Sequence, residues 1–193
     1  MDFNPAKKEL NRALRCIERM KQAKSYDEYD EAWSDFLSRI ENVFSRVKLA
    51  AGNHAKYIGF SSKVNHLRST DELLIYLKQA RNTAHHGIAD TSRFIAGGLG
   101  INPFTPGGSV HIKNMTIDRQ GNVTFTPGGP VEVVTHPSTI EAVSCSNRGM
   151  KYDPPANHLG QKILSKSPIT LAELGCKFYQ DYLFSAEQTF KPK

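Results

Sequence analysis

The stretch STDELLIYLKQARNTAHHGIAD, residues 69–90, decides how the chain is read. Ser69 and Glu72 stand at the spacing of a capping box, in which the hydroxyl accepts from an orphan amide and the carboxylate reaches back. Leu73, Leu74, Leu77, Ala80 and Ala84 then recur at helical intervals and give the segment one buried face. Its end is polar: Arg81 and Asn82 come together, and His85 and His86 follow directly before Gly87. Residues four apart stack on one helix face, so the spacing sets Arg81 beneath His85 and Asn82 beneath His86. Cations in a last turn complement the helix dipole and satisfy its free carbonyls, with Gly87 as the residue just beyond the helix. Capping of that kind accounts for one such pair and does not require both.

Upstream, Leu10, Leu14 and Ile17 follow Phe3 at spacings of a helix. Trp33, Phe36, Leu37, Ile40, Val43, Phe44 and Val47 form a continuous helical stripe that ends at Ala51 and Gly52. Asn53 to Arg68 reads as a polar connection. Three amphipathic helices with short connections predict a helical bundle over residues 1–90.

Residues 91–155 differ in texture, being rich in Gly, Pro and Thr. Phe104-Thr-Pro-Gly-Gly108 recurs as Phe125-Thr-Pro-Gly-Gly129, each followed by alternating β-type residues, and Arg119 to Asn122 reads as a hairpin turn. Two copies are too few for a solenoid. The pattern predicts a small antiparallel sheet of three or four strands that includes TIEAVSCS, residues 139–146. Residues 156–193 turn helical again: Ser167 and Pro168 start a helix whose only polar strip is Glu173, Lys177, Gln180 and Asp181. So apolar a helix must be covered on most sides, by the bundle or by a second subunit. The fold class expected is α+β, a helical bundle with a small antiparallel β insertion.

The formal charge of +6 suits a polyanionic partner, although no block of lysines marks a nucleic-acid tail. No window approaches the roughly 20 apolar residues of a membrane-spanning helix, so no membrane partner is expected. The N-terminal segment lacks the apolar core of a signal peptide. Cys16, Cys145 and Cys176 are odd in number and form no CxxC pair, which fits a reducing cytoplasm. His54, His66, His111, His136 and His158 are scattered without metal-ligand spacing and read as surface or loop residues, so no metal is expected. The FTPGG turns lack a Walker lysine and need no ligand. Tyr179 and Tyr182, among apolar neighbours, read as core or interface.

Arg81-Asn-Thr-Ala-His-His86, closing an apolar helix after two amphipathic ones, resembles the Arg-x4–6-His signature of the HEPN superfamily. The resemblance covers residues 1–90 and 156–193 and leaves out the β region. It implies a helical bundle that pairs as a homodimer with its motifs facing across a cleft. It also implies a metal-independent endoribonuclease without cofactors, of the kind found among toxins and antiviral defence systems, with RNA as substrate and a possible antitoxin or defence-system partner. Arg81, Asn82 and His86 match the motif as catalytic residues. His85 falls at a variable position and is assigned as an auxiliary substrate contact. Many members carry a tyrosine two residues after the histidine, where this chain has Ile88. Some HEPN domains only bind nucleotides or partners, and a dimeric binding scaffold is the competing reading.

The chemistry fits the residue types. Metal-free RNA cleavage needs the 2′-hydroxyl deprotonated, the leaving 5′-oxygen protonated and the charge on phosphorus stabilised. A histidine titrates near neutrality and serves as acid or base. Arginine grips phosphate through a planar, permanently charged fork. Asn82 would orient the imidazole or bind a phosphate oxygen.

Overall fold

Five helices carry the apolar periodicity of the chain, which the computed structural model describes over residues 1–85 and 89–191. They are α1 (Asn4–Gln22), α2 (Tyr26–Ala51), α3 (Tyr57–Thr70), α4 (Glu72–His85) and α5 (Pro168–Thr189). With ten short strands among the described residues they make the chain α+β. The chain divides into two compact units, one of residues 1–94 and 140–193, the other of residues 95–139. The second is narrower than the insertion expected over 91–155.

In the helical unit α2 packs against α1, α4 and α5. Its whole expected stripe is buried apart from Phe44, which is half-buried, and Trp33 stacks on Phe36 with ring centroids 5.5 Å apart. α2 starts where Ser25 accepts from the Glu28 amide, while the Glu28 carboxylate accepts from the Lys24 amide. That reciprocal arrangement closes the helix start much as a capping box does. α5 is covered by the other four helices, with Tyr179 and Tyr182 buried as expected.

Two expectations for this unit are corrected. Residues 53–68, read as a polar connection, instead supply most of α3: Tyr57, Phe60, Val64 and Leu67 face inward at helical spacing. Ser69 therefore lies in the last turn of α3, where its hydroxyl donates to the His66 carbonyl, and it does not cap α4. Asp71, the single residue between the two helices, does so by accepting from the Leu74 amide.

A layer of irregular chain and short strands lies on the helices. β1 (Ser92–Ile95) pairs with β6 (Thr139–Ala142), β7 (Cys145–Asn147) with β8 (Met150–Tyr152), and β9 (Asn157–His158) with β10 (Gln161–Lys162). Buried polar groups fasten it. The Trp33 indole donates to Thr91 Oγ1 at 3.0 Å, and the Tyr26 hydroxyl donates to the Ser92 carbonyl. The Ser92 hydroxyl in turn reaches Asp30. Residues 139–146 thus belong mostly to this layer and not to the inserted sheet.

The second unit is a two-stranded antiparallel ribbon. β2 (Gly98–Pro103) pairs with β5 (Val131–His136), and nested inside them β3 (Ile112–Ile117) pairs with β4 (Val123–Pro127). The expected hairpin turn closes the inner pair: Asp118 accepts from the Gln120 and Asn122 amides, and Gly121 supplies the positive φ of 82°. The two FTPGG copies are not equivalent. The first makes a loop closed by Gly108 N–H to the Thr105 carbonyl, with Gly107 at φ 78°. The second puts Phe125, Thr126 and Pro127 in β4. A ribbon must absorb surplus residues on one side only, and here the first copy takes them.

Candidate functional site

The motif helix α4 is held at both ends. At its start Asp71 accepts from the Leu74 amide, from His158 Nδ1 at 2.9 Å and from the Leu159 amide at 2.7 Å. Glu72 accepts from the Ala156 and Asn157 amides and from the Asn157 side chain. Those donors hold the Glu72 carboxyl below its usual range, the Asn157 side chain most of all. Two carboxylates at a helix N-terminus also complement its dipole. His158, read as a surface or loop residue, is instead buried in this clamp and meets the Phe178 ring edge-on.

Along its length α4 lies against β7. The Tyr76 hydroxyl donates to the Val143 carbonyl at 2.8 Å, and Thr83 Oγ1 to the Ser146 carbonyl at 3.2 Å. Asn147 Nδ2 donates to Gln79 Oε1 at 2.8 Å. The polar end of α4 is therefore built from two segments far apart in sequence.

Arg81 and Asn82 are brought together. Arg81 Nη1 donates to Asn82 Oδ1 at 3.3 Å, and the Asn82 amide leans toward Gln79 Oε1 at 3.5 Å. One chain of amides, Asn147 to Gln79 to Asn82, thus sets the guanidinium. Arg81 Nε is buried and has no hydrogen-bond partner among the described residues. A buried donor without an acceptor costs about 1–3 kcal/mol. His85 is exposed in the last turn of α4. His86, Gly87 and Ile88 lie outside the described residues, and so do the expected pairing of Asn82 with His86 and the role of Gly87 as helix stop.

No family model, curated protein or solved structure matches the chain.

Sequence reading passed over Gln79, Asn147 and Arg148. Arg148 and Gly149 form the β7–β8 turn at φ 51° and 76°, with Arg148 exposed. A non-glycine residue in the left-handed region costs about 1–2 kcal/mol. The turn starts at the residue that Gln79 anchors, so it adjoins the polar end of α4. The only signal in the sequence was Asn147-Arg-Gly149, a tight-turn pattern.

Other groups are poor candidates for chemistry. Cys16, Cys145 and Cys176 are buried, and burial pushes each thiol up, Cys176 to about 12, so none is a ready thiolate. Among the described residues no group of three or more His, Cys, Asp or Glu is placed to hold a metal ion, and no helix is long and apolar enough to cross a membrane.

Proposed function

We propose that the protein is a metal-independent endoribonuclease of HEPN type, which cuts RNA and leaves 2′,3′-cyclic phosphate ends. The observation that carries the reading is Arg81: an arginine oriented by Asn82, with a buried Nε that has no partner among the described residues, at the end of the helix that bears the motif. In this mechanism Arg81 binds the scissile phosphate and stabilises the charge that grows on its oxygens. His86 moves the proton, taking it from the 2′-hydroxyl or giving it to the leaving 5′-oxygen; a second copy of the site in a homodimer supplies the complementary role. Asn82 holds the guanidinium in register through its contact to Gln79. His85 and Arg148 contact neighbouring phosphates. A toxin or antiviral role, with an antitoxin or defence-system partner, is what the family likeness suggests.

The second reading is a non-catalytic dimeric scaffold. It is favoured by Ile88, which stands where many family members have a tyrosine, and by the inserted ribbon.

The test is RNA cleavage in EDTA by the wild type, Arg81→Ala and His86→Ala. Wild-type cleavage that falls at least about 100-fold in each variant supports the nuclease, as loss of an acid–base group does. Cleavage that survives both substitutions, or no cleavage of any RNA by the wild type, rejects it.

A further inference from the structure

We propose that Gln79 is a positioning residue for two arginines at once. It holds Arg81 on its own helix and Arg148 on the β7–β8 turn, so that the pair grips neighbouring phosphates of one RNA strand. The inference rests on the nuclease reading for its ligand and deepens it.

The two halves of the site meet at Gln79 Oε1. This oxygen accepts from Asn147 Nδ2 at 2.8 Å, and Asn82 Nδ2 approaches it at 3.5 Å. An amide oxygen has two lone pairs and can serve both donors. Each of these asparagines adjoins an arginine in sequence, Arg81-Asn82 on α4 and Asn147-Arg148 where β7 ends. With Nδ2 turned to Gln79, Asn82 presents Oδ1 to Arg81 Nη1 at 3.3 Å. Without Gln79 the Asn82 amide is free to turn over, which would aim a donor at the guanidinium in place of an acceptor.

The second arginine is set by the same oxygen. β7 is tied to α4 twice, about one helical turn apart: Thr83 donates to the Ser146 carbonyl, and Gln79 takes Asn147. Asn147 pairs with Met150 across the hairpin, which leaves Arg148 and Gly149 as a two-residue turn with both φ positive. Such turns favour Asn-Gly, so the arginine at the first position is strained. Its exposed side chain makes no hydrogen bond or ion pair among the described residues that would offset the strain. The surroundings suit an anion. α4 has no acidic residue beyond Glu72, which is engaged by Ala156 and Asn157, and the hairpin from Cys145 to Tyr152 has none. Two guanidinium forks reach that surface without a carboxylate of either element to occupy them.

The experiment measures binding of a single-stranded RNA oligonucleotide against salt in EDTA, with His86→Ala in every protein to block cleavage. Cleavage kinetics are measured in the parent chain. Arg148→Gln is expected to lower the slope of log affinity against log salt by about 0.7, one phosphate contact on a single strand. In cleavage it raises KM and leaves kcat alone. Gln79→Met changes no charge, yet is expected to lower the slope at least as much, raise KM and also lower kcat, because Arg81 loses its orientation. Adding Arg148→Gln to Gln79→Met is expected to change affinity less than about twofold, since the two act through one contact. A salt slope unchanged in Gln79→Met, or effects that simply multiply in the double variant, overturns the proposal and leaves a cleaving wild type as a nuclease. The expected coupling in binding without wild-type cleavage rejects the nuclease and keeps the arginine pair. No binding of any oligonucleotide overturns both. Should Gln79→Met fail to fold, Asn147→Ala decides: it is expected to reproduce the loss seen in Arg148→Gln, and wild-type affinity and slope overturn the proposal.

Discussion

Removing Glu41 is expected to destabilise the protein by about 3 kcal/mol, at the lower end of the cost of breaking a buried ion pair. Arg68, in the last turn of α3, is 8% exposed. Its Nη2 donates to both Glu41 oxygens, at 2.7 and 2.9 Å, and its Nη1 to the Tyr179 hydroxyl. The guanidinium also sits 3.9 Å from the centroid of the Phe44 ring. Burial opposes its charge, but Tyr179 and Glu41 outweigh that and leave its pKa above the ordinary arginine value. Glu41→Leu leaves this cation buried with a phenol and a ring face as company. The lower figure applies because the Glu41 side chain is 22% exposed, so water reaches the vacated site.

Urea unfolding followed by circular dichroism measures the loss, which corresponds to roughly 6–12 °C in Tm for a chain of this size. Replacing both partners, Glu41→Leu with Arg68→Met, is expected to return the stability to within about 1 kcal/mol of wild type, since apolar pairs commonly substitute for buried ion pairs without loss. Glu41→Leu costing less than about 1 kcal/mol, or a double variant no better than the single one, refutes the reasoning. The cluster also matters for the site, because it ties α3 to α2 and α5 directly before Asp71 and the motif helix.

Three further outcomes are expected. Glu9 is buried, which pushes its pKa up, but Arg39 and Arg12 outweigh burial and hold it below the ordinary glutamate range. Its stabilisation is therefore present above about pH 4.5 and is lost as pH falls through the lowered value; Glu9→Gln should flatten the fall of Tm between about pH 5 and 3. Asp71→Ala removes the α4 cap together with the acceptor of His158 and Leu159, and should cost about 2–4 kcal/mol in urea unfolding. Arg148→Gly relieves the left-handed backbone and should add about 1 kcal/mol of stability. If Arg148 contacts phosphate, the same change weakens binding of a single-stranded oligonucleotide and lowers the slope of log affinity against log salt by about 1.

What could be read from the chain, and what could not, follows how far apart the interacting residues are. The α2 stripe is legible because every residue that defines it is a neighbour in sequence and apolar. α3 is not, although Tyr57, Phe60, Val64 and Leu67 carry the same period. Its most buried positions include Ser61 and Arg68, and a buried arginine makes sense only with Glu41, 27 residues before it, and Tyr179, 111 residues after it. Pattern without context misleads in the same way at the helix starts. Ser25 to Glu28 and Ser69 to Glu72 share one spacing, yet only the first serine caps. At the second, the chain stays helical through Thr70 and turns at Asp71, whose carboxylate caps α4 and gathers donors from residues 158 and 159. The FTPGG copies show that even identical pentapeptides diverge when the ribbon register needs surplus residues on one strand alone. The candidate site combines both cases: Arg81 and Asn82 are adjacent and could be seen together, while Gln79, which sets them, is anchored by an asparagine 68 residues away. The orphaned Nε of Arg81 is visible in neither pattern nor composition, because it is defined by the lack of an acceptor among the described residues around it.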